Sequence, residues 1–131
     1  MLVFAYLNLP NAITLLGMLF APIAWLMGIS NDALLQSGAL LGTRTVLNEF
    51  VAFIQLGDLK AAGTYIDPRN LMIMTYALCG FANIVSIGIQ IGGIGALAPE
   101  RRHDLAKVGS RAMVAGLIAC YLFTAVVGIL L

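Results

Sequence analysis

The polar side chains between Thr75 and Gln90 lie in a stretch of the chain without charge. Residues 70–99 contain no Asp, Glu, Lys or Arg, and this run exceeds the roughly 20 residues that a membrane-spanning helix needs. Asn83, Ser86 and Gln90 are spaced i, i+3 and i+7, which predicts one face of a helix. Amides and hydroxyls both donate and accept hydrogen bonds, so this set suits a neutral ligand rich in hydroxyl or amide groups. The alternative is that they only join neighbouring helices, at roughly 1 kcal/mol each.

Asn48 and Glu49 are a second group of residues whose side chains could bind a ligand. An acid within an apolar segment is costly unless it is paired or solvated, which makes it a candidate for function. A carboxylate can accept hydrogen bonds from two vicinal hydroxyls of a sugar, and its charge strengthens both. The other interpretation places Glu49 near the surface or in a pair with Arg44 or Arg111, although a separation of five residues is poor for a helical pair.

The composition indicates a membrane protein and argues against several other classes. Of the 131 residues, 61% are hydrophobic and 10% are charged, whereas soluble domains carry about 25% charged residues. The net charge of +1 gives no reason to expect a nucleic acid partner. Cys79 and Cys120 fall in apolar runs and are predicted to be small buried hydrophobes. No metal-binding cluster and no nucleophile–base arrangement is visible, so we expect neither a metal site nor an enzyme.

Four apolar elements must position the candidate groups. Residues 11–28 predict a first helix that is either kinked at Pro22 or shorter and interfacial, with Trp25 near its end. Residues 31–56 predict two arms of about ten residues on either side of a tip at 42–45 (Gly-Thr-Arg-Thr). Each arm measures about 15 Å at helical rise, about half of a hydrocarbon core, so the pair predicts a re-entrant hairpin.

The last two elements complete an all-α fold. Residues 68–97 are longer than one minimal span and predict a discontinuous transmembrane helix whose halves meet between Gly80 and Ile84. Residues 111–131 predict a final transmembrane helix. The fold class is therefore a polytopic all-α membrane protein with a re-entrant helical hairpin. The cations of the connection 98–111 place that connection in the cytoplasm by the positive-inside rule.

The order of these pieces resembles one known family, the concentrative nucleoside transporters, and specifically their C-terminal region. The matching pieces are residues 20–28 (FAPIAWLMG), 42–43 (GT) with 48–52 (NEFVA), 79–83 (CGFAN) with 86–88 (SIG), and 98–102 (APERR). They occur in the family's order and spacing across nearly all 131 residues.

The resemblance implies roles for five residues as substrate-binding groups. Glu49 matches the hairpin acid that holds the ribose hydroxyls, and Asn48 precedes it. Asn83 and Ser86 match residues of the interrupted helix that contact ribose and nearby groups, while Phe81 lies beside the substrate. The resemblance also implies a trimer whose transport domain moves like an elevator, driven by sodium ions or protons.

Full members of the family contain an earlier hairpin and helices that contact the base and bind the sodium ion. We therefore expect residues 1–131 to be the C-terminal, substrate-binding part of a cation-coupled nucleoside symporter, incomplete and inactive alone. No cofactor is expected in this segment, and the coupling ion belongs to the complete transporter. The expected location is the plasma membrane (the inner membrane of a bacterium), and the expected partners are a nucleoside, lipid, the missing N-terminal half and two further copies. The alternative is a membrane-integrated assembly or regulatory subunit whose polar groups only pair with partner helices.

Overall fold

The computed structural model describes residues 11–65 and 67–131, and the regular structure within these ranges is helical. Its α-helices are α1 (Ala12–Leu26), α2 (Leu34–Val46), α3 (Glu49–Ala61), α4 (Pro68–Leu78), α5 (Ile84–Leu97) and α6 (Arg102–Leu130). Short 3₁₀ helices at Asn31–Ala33 and Pro99–Arg101 precede α2 and α6. The predicted all-α fold is confirmed, and residues 1–10 of the predicted 1–131 segment lie outside the described ranges.

Helices α1 and α2 pack backbone to backbone through glycines. A Cβ atom on Gly17 would lie 2.8 Å from the carbonyl oxygen of Leu35, and a Cβ atom on Gly38 would overlap the carbonyl oxygen of Gly17. Gly42 lies against the side chain of Leu16, with no room for a Cβ atom of its own. Small residues allow this approach, which is the usual way in which membrane helices pack.

Pro22 lies inside α1 and does not end it, because the helix is continuous over 15 residues. At 1.5 Å per residue α1 is about 22 Å long, which is less than the roughly 30 Å of a hydrocarbon core. The Trp25 side chain is exposed near its end. The interfacial placement of this helix stays a prediction.

The hairpin tip predicted at residues 42–45 was wrong, since α2 continues through them and the chain turns at residues 47–48. Gly42 is small because it packs against Leu16, and it makes no turn. The Thr45 hydroxyl donates a hydrogen bond of 2.8 Å to the carbonyl of Leu41, which satisfies the hydroxyl within the helix. Gly42 thus serves helix packing, and Thr45 is satisfied within α2, so neither residue makes a turn.

The second arm is also longer than predicted, because α3 ends at Ala61 and not at Leu56. Helices α2 and α3 have 13 residues each, or about 20 Å. Both arms remain shorter than a hydrocarbon core of about 30 Å. The re-entrant position of the pair in a membrane stays a prediction.

The helical element over residues 68–97 is interrupted at residues 79–83, between α4 and α5. Helix α6 runs antiparallel to both halves, α4 and α5. Residue numbers fall along α6 while they rise along its contacts in α4, the interruption and α5. The contacting pairs are Gly128 with Ile73, Cys120 with Ala77, Gly116 with Ala82, Gly109 with Ile87, and Arg102 with Gly95. Helix α6 therefore acts as a continuous support for the interrupted element.

The charged connection is shorter than the predicted 98–111, because α6 begins at Arg102. Arginine, lysine and alanine favour helix, so the charged residues extend α6 beyond its apolar part. Arg101 and Asp104 form an exposed ion pair of 3.5 Å at this end. Its cytoplasmic location stays a prediction.

The buried core lies among α1 to α4, whereas α5 and α6 expose many large apolar side chains. Ile89, Leu97, Leu122 and Ile129 are each more than 60% exposed. Exposed apolar surface of this kind suits lipid or further protein. Among the described residues, one helical segment, Pro99–Leu130, is long and apolar enough to cross a membrane.

Candidate functional site

Two chain interruptions, at residues 47–48 and 79–83, bring the predicted site residues together. Each interruption ends in an asparagine with extended backbone that caps the following helix. The Asn48 Oδ1 atom accepts a hydrogen bond of 2.9 Å from the amide of Val51, at the start of α3. Asparagine is among the best N-cap residues, so both helix starts are encoded locally.

Asn83 and Ser86 form a capping box at the start of α5. The amide of Ser86 donates to Asn83 Oδ1 over 2.7 Å, and the Ser86 hydroxyl donates to the carbonyl of Asn83 over 2.7 Å. Asn83 therefore lies before the helix, and the predicted common helical face of Asn83, Ser86 and Gln90 was wrong. The spacing of three residues is that of a capping box.

The central contact of the site joins Asn83 to Glu49 across the two interruptions. The Asn83 Nδ2 group donates to Glu49 Oε2 over 3.3 Å and to the carbonyl oxygen of Phe81 over 3.3 Å. Asn83 is 3% exposed, while Glu49 is half-buried. Glu49 is in the first turn of α3, and its partner Asn83 caps α5. The carboxylate thus lies at two helix N-termini, each equivalent to roughly half a positive charge.

The alternative pairing of Glu49 with Arg44 or Arg111 is not seen. The ion pair found within residues 11–65 and 67–131 is Arg101 with Asp104. Glu49 uses an amide as its partner instead of a cation.

Arg44 is a further component of the site, which the sequence suggested only as part of the hairpin tip or as a partner of Glu49. Its side chain is fully buried, its Nε group donates to the carbonyl of Gly80 over 3.1 Å, and its guanidinium carbon lies 5.4 Å from the ring centroid of Tyr121. In the described part of the chain, its Nη1 and Nη2 atoms have no hydrogen-bond partner. The available signal was that Arg44 is the sole charge in residues 33–48.

Phe81 and Ser86 connect the site to a groove between α5 and α6. The groove has a volume of about 320 Å³. Its other lining residues include Gln90 from α5, with Leu105, Val108 and Met113 from α6. The Phe81 side chain is 74% exposed at this groove. Glu49 and Asn83 are not among its lining residues.

The cysteines do not match the prediction of two buried residues. Cys79 is exposed within an interruption, and Cys120 is half-buried with its Sγ atom 3.5 Å from the carbonyl of Ala77. Both are free thiols. Over the described ranges, no three His, Cys, Asp or Glu side chains lie close enough to hold a metal ion.

A family profile described as "Na+ dependent nucleoside transporter C-terminus" matches residues 4–128. The chain therefore belongs to this family, as the C-terminal region of a concentrative nucleoside transporter. The uncharacterized transporter YutK of Bacillus subtilis is 43% identical over 115 residues, which cover 88% of this chain and 28% of the relative. Solute carrier family 28 member 3 of Eptatretus stoutii is 43% identical over 121 residues, covering 83% of this chain and 18% of the relative.

A solved structure agrees with the family assignment. The structure of CNTnw in an inward-facing substrate-bound state superimposes with a TM-score of 0.88 and 33% identity, covering 96% of this chain and 31% of CNTnw. The chain thus spans less than a third of the length of these relatives. The relatives are named as transporters and not as enzymes. The class of protein is therefore a membrane transporter. One of the relatives, Sodium/nucleoside cotransporter 1 of Rattus norvegicus, is named for sodium.

Proposed function

We propose that this chain supplies the ribose-binding part of the substrate site of a cation-coupled nucleoside symporter. The observation that carries the proposal is the contact of 3.3 Å between Asn83 Nδ2 and Glu49 Oε2 across the two interruptions. A carboxylate has about four acceptor positions, and Asn83 occupies one of them. The remaining positions suit two vicinal hydroxyl groups, which are the distinguishing feature of ribose.

The neighbouring residues have supporting roles in this proposal. Asn48 caps α3 and so fixes the start of the helix that carries Glu49. Ser86 holds the backbone of Asn83, and its hydroxyl is already engaged there. Phe81 presents an exposed ring beside the groove and can cover the rest of the nucleoside. Glu49 is thus the direct ligand, and the others position or enclose it.

The remaining features of the transporter belong to the same proposal. The relatives are more than three times as long as this chain, which supports a preceding part that completes the site and binds the coupling ion. Sodium is the favoured ion because the family description and the name of the rat relative both specify it. We place the protein in the plasma membrane as a multi-pass homotrimer, with the end of the molecule around residues 98–111 in the cytoplasm.

An elevator-like movement of this segment as one unit is part of the proposal. The segment superimposes on CNTnw in the inward-facing substrate-bound state with a TM-score of 0.88, and on a CNTnw variant in an outward-facing state with a TM-score of 0.84. Similar agreement with both states supports a segment that keeps its internal structure while the protein changes state.

The test is nucleoside binding by a complete transporter in which this chain replaces the matching segment of the Bacillus subtilis relative. Glu49→Gln turns two charge-assisted hydrogen bonds into neutral ones, which costs about 2 kcal/mol and weakens uridine binding about 30-fold. Glu100→Gln, an exposed acid in the 3₁₀ helix Pro99–Arg101, is the matched control and should bind uridine normally.

Binding of 2′-deoxyuridine provides the more specific measurement. The wild-type protein should prefer uridine to 2′-deoxyuridine. Glu49→Gln should lose most of this preference, because a neutral amide no longer strengthens the hydrogen bond from the 2′-hydroxyl group. Equal uridine binding by Glu49→Gln and the wild type would overturn the role of Glu49. No saturable nucleoside binding by the wild-type protein would favour the assembly subunit instead.

A further inference from the structure

We propose that Arg44 is a positioning residue that locks the interruption at 79–83 against the end of α2 and thereby sets the distance between Asn83 and Glu49. The inference rests on the proposed nucleoside site. It assigns a function in substrate binding to a buried cation, Arg44, beyond the residues that the resemblance to nucleoside transporters implies.

The first argument is the fit between the guanidinium and the interruption. Arg44 is 0% exposed, and its Nε group donates to the carbonyl of Gly80 over 3.1 Å. A Cβ atom on Gly80 would overlap the Arg44 Nη2 atom and lie 3.2 Å from the Sγ atom of Cys120. The backbone of the interruption therefore lies directly against the guanidinium, and a side chain at residue 80 would require the Arg44 head group to shift.

The second argument is electrostatic. Arginine does not lose its proton in proteins, and a buried charge without compensation is strongly unfavourable. In the part of the chain that the structure describes, no acid pairs with Arg44. The compensation comes from the last turn of α2, which contains Arg44, and from Gly80 at the end of α4. Each helix C-terminus is equivalent to roughly half a negative charge, and the face of Tyr121 adds a cation–π contact.

Arg44 and Glu49 therefore have complementary environments at the same pair of interruptions. The cation lies at two helix C-termini, those of α2 and α4, while the carboxylate lies at two helix N-termini, those of α3 and α5. A shift of one interruption relative to the other would move both charges away from the helix ends that stabilise them. The relative position of the two interruptions is thus fixed electrostatically as well as by hydrogen bonds.

The third argument is connectivity. Arg44 precedes Glu49 by five residues, and Gly80 precedes Asn83 by three. The bonds Arg44–Gly80 and Glu49–Asn83 are therefore two cross-links between the same short segments. A substrate that binds the remaining acceptor positions of Glu49 needs Glu49 and Asn83 already held in place. The Arg44–Gly80 bond helps to hold them there, and such preorganisation raises affinity.

The principal test combines hydrogen exchange with uridine binding in the same complete transporter. Arg44→Met keeps the length of the side chain but removes its charge and donors. We expect faster amide exchange at residues 79–83 and about tenfold weaker uridine binding, the value of one hydrogen bond to a charged group. Arg44→Lys retains the charge but not the planar donor, and should fall between Arg44→Met and the wild type.

Arg69→Met is the matched control for a loss of stability alone. Arg69 also donates to two backbone carbonyls at helix ends, those of Gly28 and Gly128, and within residues 11–65 and 67–131 its side chain makes no hydrogen bond to a site residue. This variant should lower the unfolding temperature but leave uridine affinity and exchange at 79–83 unchanged. If Arg44→Met does not fold, Arg44→Lys takes its place in every comparison.

A double-mutant cycle separates positioning from a general structural role. Asn83→Ser keeps a capping oxygen for α5 but removes the amide that reaches Glu49. After Asn83→Ser, the loss of Arg44 should cost much less affinity than in the wild type, because the contact that it positions is gone. Fully additive losses in affinity would overturn the inference.

The exchange measurement does not depend on the proposed substrate. Unchanged exchange at 79–83 in a folded Arg44 variant would overturn the positioning role even if uridine binds as proposed. Conversely, faster exchange in a protein that binds no nucleoside would retain the lock and refute the proposed function.

Discussion

The substitution Asn83→Asp tests the geometry of the site with a single atom. Aspartate is an N-cap as good as asparagine, so the hydrogen bond from the amide of Ser86 and the start of α5 should persist. The change replaces the Nδ2 donor by a carboxylate oxygen that faces Glu49 Oε2, at the 3.3 Å now occupied by a hydrogen bond. The attractive contact with Glu49 becomes a repulsive one, and the hydrogen bond from Nδ2 to the carbonyl of Phe81 is lost with it.

The size of the effect follows from the distance. Two unit charges 3.3 Å apart repel by about 5 kcal/mol at an effective dielectric constant of about 20. Glu49 is half-buried, so solvent reduces this value, and we expect a net loss of about 2 to 3 kcal/mol in the free energy of unfolding at neutral pH. Binding of one proton to the pair would relieve most of the repulsion.

The measurements are unfolding in detergent and uridine binding, each from about pH 8 to about pH 5. Asn83→Ser is the matched control, because it keeps a cap and loses the amide without adding charge. At neutral pH the aspartate variant should be the less stable and bind the more weakly, and it should recover towards the serine variant as the pH falls. Identical behaviour of the two variants over this range would refute the direct contact between residues 83 and 49.

Two further predictions concern the packing that supports the site. Gly38→Ala should lower the free energy of unfolding by about 1 to 3 kcal/mol, because its Cβ atom would overlap the backbone of Gly17. Gly88→Ala should be neutral or stabilising by up to about 1 kcal/mol, because no tertiary neighbour among the described residues lies within 4 Å of an added Cβ atom. Thermal unfolding of both variants in one detergent checks this, and equal losses would refute the close contact. Tyr65→Phe should cost about 1 to 2 kcal/mol, because it leaves the buried Ser37 hydroxyl without its partner at 2.7 Å. Burial raises the pKa of Tyr65 to about 12 from its ordinary value of 10.0, so its contribution should be complete below pH 10 and be lost as the pH rises to about 12. Alkaline unfolding curves should show this additional loss in the wild type and not in Tyr65→Phe.

The interruption at 79–83 could be predicted from the sequence because it follows from local properties. Residues 68–97 are too long for one minimal span, Gly80 weakens the helix near its middle, and Asn83 is a strong cap. Each of these properties belongs to the segment itself. The length of α6 was underestimated, because the charged residues 102–110 were interpreted as a connection although they are helical.

The turn at 47–48 could not be placed in the same way, because the misleading signal had a tertiary cause. Gly42 and Thr45 are typical turn residues in the sequence. In the fold, Gly42 packs against Leu16, and the Thr45 hydroxyl bonds the carbonyl of Leu41. Asn48 did offer a local cap signal directly before Glu49. The sequence shows only that Arg44 is the sole charge in residues 33–48, because its contacts with Gly80 and Tyr121 come from distant parts of the chain.

Many polar side chains of this chain form hydrogen bonds with the free backbone groups at helix ends. A membrane core has no water to satisfy the free N–H and C=O groups of an interrupted helix, so side chains must do this. The N-terminal groups are capped by Asn11, Asn48, Asp67 and Asn83, and carbonyls at C-terminal ends are bonded by Arg44 and Arg69.

This allocation limits the hydrogen-bonding groups that the interrupted helix has available for a ligand. The oxygen of Asn83 and the hydroxyl of Ser86 are consumed by the capping box, and the amide of Asn83 is shared between Glu49 and Phe81. Glu49 is half-buried and has one described hydrogen-bond partner, which leaves several of its acceptor positions free. Discrimination between ribose and deoxyribose should therefore depend on Glu49 far more than on Ser86, and Ser86→Ala should affect the stability of α5 more than the preference for uridine.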